Sequence, residues 1–334
     1  MTTTHDQQAP VARDRAARQV SFRNLVSRYG LIGVLVIEIA VFAYLKPDTF
    51  FTLTQFQSIA LTQAVVAILA LAAVLPLVVG QFDVSLAFQL GLSQAVCAKL
   101  ILENGLPWPV AGLIAIGVGV LIGAFNGFLV CVIRLNSFIA TLGTGTLVLG
   151  ITGWYTGNLQ VTGQLPTTFT DLTRRTVSNV PLTMVYVLVL MLVLWIAFEY
   201  TSWGREAHAT GANPRAAYLA GVRVDRVTWT CFIGAGAFAA FSGIVSVSIL
   251  GASSPSVGLG ELLPAYAAAF LGATCIRPGR FNSIGTVIAI LVLAVGITGL
   301  QLYGAQPYVR DLFNGAALLI AITFAALTSR RART

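Results

Sequence analysis

Residues 116–127 read IGVGVLIGAFNG, and residues 232–243 read FIGAGAFAAFSG. Both stretches combine large apolar side chains with glycine, alanine and serine. Small residues of this kind let two helix backbones approach closely in lipid, where packing rather than water exclusion holds helices together. The two stretches therefore predict membrane helices that pack tightly against other helices.

The composition of the whole chain agrees with this prediction. Of the 334 residues, 57% are hydrophobic and 10% are charged, whereas soluble domains carry about 25% charged residues. So few charges cannot cover a folded surface in water. The expected fold class is therefore all-α, a polytopic bundle of transmembrane helices.

A spanning helix needs about 20 mostly apolar residues. Ten segments approach or reach that length, at roughly 29–45, 58–79, 84–101, 109–132, 137–154, 181–200, 227–250, 262–276, 283–301 and 311–328. They form one predicted membrane domain, residues 29–328. A basic, disordered tail (1–28) is expected before it and a short tail (329–334) after it, both in the cytoplasm.

The distribution of lysine and arginine tests this count, because cytoplasmic segments carry the excess of both. With the N-terminus inside, fifteen of the 20 basic residues fall on the cytoplasmic side and five outside. The net charge of +8 then reflects topology, and no nucleic-acid partner is expected. The longest inner loop is predicted at 201–226 and the longest outer loop at 155–180.

No catalytic motif or metal site is recognisable, so an enzyme is not expected. The only lysines, Lys46 and Lys99, do not belong to a phosphate-binding loop. If transport consumes ATP, a separate chain must bind it. Glu38 is the only carboxylate near the middle of a span, and such residues serve ion-coupled carriers. A satisfied polar contact between helices is the favoured interpretation of Glu38.

The inner segment 204–226 reads GREAHATGANPRAAYLAGVRVDR. Asn213 can cap a helix that begins at Pro214, and Gly221 can end it. Ala216, Ala217 and Ala220 would give this helix a small face that fits a groove in another protein. Two alternatives are a short solvated loop and a DNA-binding helix-turn-helix, although no third helix is available to cover the latter.

Three stretches carry a family resemblance. The segment 204–226 with its continuation VTW, the stretch NGFLVCVIRLNSFIATLGTGTLVLGI (126–151) and the stretch GLGELLPAYAAAFLGAT (258–274) resemble motifs of one family. That family comprises the permeases of ribose-, xylose- and galactose-type ABC importers, within the branched-chain amino acid permease-like superfamily. The sequence departs from the pattern at Asn136-Ser137, where Pro is usual, at GQFDVSLA (80–87) and at GATCIRPGRFNSIG (272–285).

The resemblance implies a type II importer-like permease in the bacterial inner membrane. It would act as a homodimer with an ATPase subunit, which binds ATP and Mg, and with a periplasmic or lipoprotein sugar-binding protein; no cofactor is expected on this chain. The cargo would be a monosaccharide or related polyol. The alternative function is an ion-coupled carrier of small polar solutes.

Candidate residues follow for each role. Those expected to couple to the ATPase are Gly211, Asn213, Pro214, Ala216, Ala217 and Gly221. Small polar residues on helices could line the translocation path, although helix packing explains each equally well: Gln63, Gln89, Ser93, Asn126, Thr141, Thr144 and Thr146. Charged residues outside could receive the binding protein: Lys46, Asp48, Arg174, Arg175, Glu261, Arg310 and Asp311.

Overall fold

A computed structural model describes residues 28–254 and 257–331, and this part of the chain is an all-α bundle. Most of the predicted tails, residues 1–27 and 332–334, lie outside the described residues. The helices of the first half are α1 (Arg28–Leu45), α2 (Leu53–Val78), α3 (Leu86–Leu102), α4 (Trp108–Cys131), α5 (Ser137–Thr156) and α6 (Thr167–Arg174). Those of the second half are α7 (Leu182–Tyr200), α8 (Ser202–Ala212), α9 (Pro214–Leu219), α10 (Val224–Leu250), α11 (Leu259–Gly272), α12 (Ser283–Leu302) and α13 (Tyr308–Arg331).

Each of the ten predicted apolar segments forms a helix. Within the described residues, seven helices are long and apolar enough to cross a membrane, whereas α3 and α11 are apolar but shorter. Bounds differ by a few residues from the predicted ones where polar caps act. For example, α2 begins at Leu53 because the Thr52 hydroxyl accepts a hydrogen bond from the Gln55 amide at 3.2 Å. The number of spans and the side on which each end lies remain predictions.

The segment 155–180 has more regular structure than the turn-rich loop that the sequence predicts. It contains α6 and three short strands or parts of strands, namely β1 (Val161–Thr162), β2 (Thr176–Val177) and β3 (Val180–Pro181). β2 pairs with β3, and β1 pairs antiparallel with β4 (Ala252–Ser253), with Val161 opposite Ser253. Phe169 of α6 is fully buried. This burial anchors a polar segment to the bundle.

Helix α2 lies at the centre of the bundle. From Ala64 to Val78 every residue is buried, and α2 packs against α7, α10, α11 and α12. A helix that is apolar on all sides belongs in the interior of such an assembly. Helix α2 is therefore the central element against which these four helices pack.

The two glycine-rich stretches that suggested the fold pack against each other on α4 and α10. A methyl group on Gly119 would collide with the Gly236 carbonyl oxygen, and one on Gly236 with the Gly119 carbonyl oxygen. The indole of Trp229 on α10 donates to the Ala124 oxygen on α4 at 2.8 Å. The predicted close helix packing is confirmed for this pair.

Candidate coupling surface and buried polar centre

The segment 201–226 forms two helices, α8 and α9, which together we call the coupling segment. The Thr201 hydroxyl accepts from the Gly204 amide and starts α8. The Asn213 side chain then accepts from the Ala216 amide at 3.0 Å, Pro214 occupies the first helical position and Gly221 has φ +87°. The capping pattern predicted for α9 is therefore present. Helix α8 was not predicted, because its buried residues, Gly204, Ala207 and Thr210, are too small and polar to form an apolar pattern.

The surface of α9 is apolar as well as basic. Tyr218 and Leu219 are 71% and 80% exposed, while Ala216 is exposed and Ala217 faces inward. Tyr218 and Leu219 border a shallow depression that is also lined by Arg215, Arg223 and Arg226. Large exposed side chains and a rim of arginine are the composition typical of protein–protein contact surfaces.

The coupling segment touches the central helix through Gly211. A methyl group at Gly211 would collide with the carbonyl oxygen of Val78, the last residue of α2. Gly80, which has φ +76°, also lies close to the Gly211 backbone. Only glycine permits this approach of two backbones. Helix α8 and the end of α2 are therefore in direct backbone contact.

A second contact lies just after the coupling segment, at the start of α10. Arg134, between α4 and α5, donates two hydrogen bonds of 2.7 and 2.8 Å to the two carboxylate oxygens of Asp225 in the first turn of α10. The Asp225 carboxylate raises the pKa of Arg134 above its usual value. Such a two-point contact fixes direction as well as distance.

A third contact, beside the coupling segment, joins the connection between α11 and α12 to α7. Arg277 forms an ion pair with Glu199, near the end of α7.

His208 of α8 packs edge-on against Phe198, and its Nδ1 lies 2.9 Å from the Gly204 carbonyl oxygen. Burial lowers the pKa of His208, and the Gly204 contact opposes this in part.

Residues 80–85 follow α2, and we call them the linker. Their backbone is held mainly by side chains. Each of the last four backbone N–H groups donates to a side-chain oxygen. The partners of residues 82 to 85 are, in order, Ser137 Oγ, Tyr266 OH, Thr141 Oγ1 and Asp83 Oδ1, at 3.0–3.1 Å. Tyr266 OH also donates to the Asp83 carbonyl oxygen at 3.0 Å. The linker is thus held between α5 and α11.

Beside the linker lies a buried polar centre. We define it as Asp83, Ser85, Gln89 and Asn126, all with no exposed surface. Ser85 Oγ accepts from Gln89 Nε2 and from Asn126 Nδ2, each at 2.7 Å, and donates to Asp83 Oδ1. The centre joins the linker to α3 and α4.

Comparison with known proteins identifies the chain. Residues 55–322 match the family model described as "Branched-chain amino acid transport system / permease component". The chain belongs to this permease family. It is 30% identical to the D-allose transport system permease protein AlsC of Escherichia coli (strain K12), over 91% of this chain and 93% of that protein. It is 29% identical to the autoinducer 2 import system permease protein LsrD of the same strain, over 91% and 94%. No solved structure matches the chain.

Family and fold together identify a multi-pass permease subunit of the bacterial inner membrane. Members of this family are transport components and not enzymes. The resemblance inferred from the sequence is confirmed. Family membership also implies that an ATPase and a binding protein are supplied by other chains.

Most of the predicted path residues are buried between helices of this one chain. Gln89, Ser93, Asn126, Thr141 and Thr144 are buried between helices, Gln63 is half-buried in an apolar groove and Thr146 is exposed on α5. Thr141, Thr144 and Thr146 each donate to a carbonyl oxygen four residues back in their own helix. Helix packing, the alternative noted for these residues, accounts for the contacts that we observe; their role in a path remains a prediction.

The predicted binding-protein residues divide into paired and unpaired groups. Arg310 pairs with Glu261 and Arg175 with Asp171, both at 2.9 Å, and the Lys46 amine lies 5.2 Å from the centre of the Tyr303 ring. Arg174, Asp48 and Asp311 are exposed and make no ion pair within the described residues. Their contact with a binding protein remains a prediction.

The contacts of Glu38 differ from those that the sequence predicted. Its Oε2 is buried without a hydrogen-bond partner, and Oε1 lies beside Gly296 of α12. The satisfied polar contact predicted for this residue is therefore not formed by Oε2. Phe313 packs at the same point, so the surroundings of this carboxyl group are mainly apolar.

The sequence did not reveal the contacts of Arg134, Asp225 and Tyr266, because their partners lie far along the chain. Arg134 and Asp225 are separated by 91 residues, and Asp83 and Tyr266 by 183. The sequence offered one signal: the stretch 80–87 departs from the resembled family motif but keeps its Gly80, Asp83 and Ser85. Two departures have structural roles: Asn136 caps α5, and Ser137 holds the linker.

Proposed function

We propose that two copies of this permease enclose a path for a monosaccharide or related polyol, and that a separate ATPase drives it through the coupling segment. The similar proteins named above serve D-allose and autoinducer 2, both of which are small polar solutes. Ten spans with both ends in the cytoplasm would put the coupling segment on the side where ATP is available. A binding protein would deliver the solute on the opposite side.

The contact between Gly211 and Val78 is the observation that carries this proposal. An ATPase that grips the exposed Tyr218 and Leu219 moves α9 and α8 together, because Asn213 is their only connecting residue. Motion of α8 reaches the end of α2 through the backbone contact at Gly211. The linker and its partners on α5 and α11 must follow, since its amides bind those helices directly.

The proposal is tested by coexpressing the permease with the ATPase and the binding protein encoded nearest to it. In proteoliposomes, uptake of a radiolabelled sugar should require ATP inside and binding protein outside. Replacement of Leu219 by Asp should prevent copurification of the ATPase and abolish uptake. The matched control is Leu159→Asp, which alters a similarly exposed leucine (70%) outside the coupling segment and should leave ATPase copurification unchanged.

An ion-coupled carrier is the competing function, and its specific support is the unpartnered Glu38. It predicts uptake by the permease alone, inhibition by an uncoupler and loss of transport in Glu38→Gln. Uptake without any ATPase would refute our proposal.

A further inference from the structure

The shallow depression beside α9, which we call the α9 depression, has an unbalanced charge. Its lining contains four arginines and one carboxylate, namely Arg134, Arg215, Arg223, Arg226 and Asp225. Both oxygens of that carboxylate already accept hydrogen bonds from Arg134, at 2.7 and 2.8 Å. The other three arginines are exposed and form no ion pair within the described residues. The α9 depression therefore presents three positive charges that no carboxylate in its lining neutralises.

Two large apolar side chains lie among these charges. Tyr218 and Leu219 line the same depression and are 71% and 80% exposed. Covering apolar surface of this kind is favourable, by about 25 cal/mol for each Å² removed from water. Neighbouring tyrosine and arginine side chains are also the residues that carry most energy at protein interfaces. The surface is therefore suited to a partner that offers both an apolar pocket and negative charge.

A protein groove meets both requirements better than a membrane surface does. In a helix that lies on a membrane, the apolar and the basic side chains occupy opposite faces, because lipid tails and headgroups lie at different depths. Here both kinds of side chain line one depression. A groove in a protein can place carboxylates around an apolar floor at the same level, which matches this arrangement.

We propose that the ATPase subunit receives α9 in a groove with an apolar floor and an acidic rim. The floor contacts Tyr218 and Leu219, and carboxylates at the rim pair with the three arginines. This inference rests on the proposed function and adds the chemistry of the partner's surface. Charges at the rim of an interface mainly speed association, whereas buried apolar anchors mainly slow dissociation. The two kinds of contact therefore have separate kinetic effects.

The test measures binding of the ATPase encoded nearest to the permease, with the full-length permease in nanodiscs of neutral lipid. Association and dissociation rates are recorded from low to high NaCl concentration. Because salt screens exposed charges, we expect the association rate constant to fall at least about tenfold, with a smaller change in dissociation. The triple variant Arg215→Gln, Arg223→Gln and Arg226→Gln should associate slowly even at low salt and respond little to NaCl.

Two control variants separate this effect from general changes in charge or structure. Arg205 is an exposed arginine of α8 that does not line the α9 depression, so Arg205→Gln should keep the association rate within about twofold of the wild type. Changing the three arginines of the depression to lysine preserves their charge. This second triple variant should therefore keep most of the association rate and its salt dependence.

Crosslinking examines the surface of the ATPase directly. The four native cysteines are buried, so Leu219→Cys introduces the accessible thiol to which a photoreactive crosslinker can be attached. The ATPase peptides that become linked should contain Asp or Glu beside apolar residues. Linked peptides without acidic residues would contradict an acidic rim.

The outcomes distinguish this inference from the proposed function. Salt-independent association, or an unchanged rate in the triple glutamine variant, would overturn the acidic rim; if Leu219→Asp still prevented binding, the proposed function would stand. An ATPase that does not bind the permease at all would contradict both. If the triple glutamine variant reduced the phosphatidylglycerol that copurifies with the permease but did not change ATPase binding, a membrane surface would be the partner and the inference would be wrong.

Discussion

Gly211 of α8 lies so close to the Val78 carbonyl oxygen at the end of α2 that no side chain fits between them. This is the point where the exposed coupling segment meets the buried centre of the permease. The tightness of the contact makes it directly testable by small substitutions.

Replacement of Gly211 by Ala should separate α8 from α2. The added methyl group overlaps backbone atoms, which cannot move aside like a flexible side chain. We expect a loss of about 1–3 kcal/mol in unfolding free energy, typical of overpacking, and a large loss of ATP-driven uptake. The control is Gly33→Ala on α1, where a methyl group meets no atom within 4 Å. An unchanged uptake rate in Gly211→Ala would argue against mechanical contact at this point.

Tyr266→Phe tests how strongly the linker is held. The phenol accepts from the Asp83 amide and donates to the Asp83 carbonyl, both at 3.0 Å. Its removal leaves both buried backbone groups without that partner, while the ring still stacks on Phe82. We expect a cost of about 1–3 kcal/mol, measured by chemical unfolding in detergent. Tyr308→Phe alters a tyrosine that is 61% exposed, so it should change stability by less than about 0.5 kcal/mol.

The pair of Arg134 and Asp225 should matter more for transport than for stability. Both side chains are largely exposed, at 67% and 50%, and exposed ion pairs contribute little to folding. Arg134→Ala should therefore unfold near the wild-type temperature but take up sugar more slowly. The exchanged double variant Arg134→Asp with Asp225→Arg should recover part of the uptake. If the two single variants and the double variant show simply additive losses, the pair does not act as a unit.

His208 predicts a pH dependence of stability. Burial favours its neutral form and lowers its pKa below the usual value of about 6.5. The unfolded chain then binds more protons, so stability is fully present above about pH 6.5 and falls as the pH decreases through the folded pKa. His208→Gln should remove this part of the pH dependence. Equal slopes of unfolding temperature against pH in both proteins between pH 7.5 and 5.5 would contradict the assignment.

Local signals in the sequence were sufficient to predict the ten apolar helices and α9. A run of apolar residues, a cap such as Asn213-Pro214 and a stop such as Gly221 act within one or two turns of the chain, so their effect can be predicted without knowing the fold. The small residues of 116–127 and 232–243 also predicted close packing, although not that these two stretches are partners. Helix α8 escaped prediction because its buried residues, Gly204, Ala207 and Thr210, are too small and polar to form an apolar pattern.

Only the tertiary structure decided which polar residues meet. Asp83 forms hydrogen bonds with Tyr266, Arg134 forms hydrogen bonds with Asp225, and Gly211 contacts Val78. The two residues of each pair are separated by 91 residues or more along the chain. The sequence determined the membrane environment and the helices because hydrophobicity and capping are properties of neighbouring residues. The coupling contact and the polar centre depend on how helices pack, and packing brings together side chains whose positions along the chain carry no signal of one another.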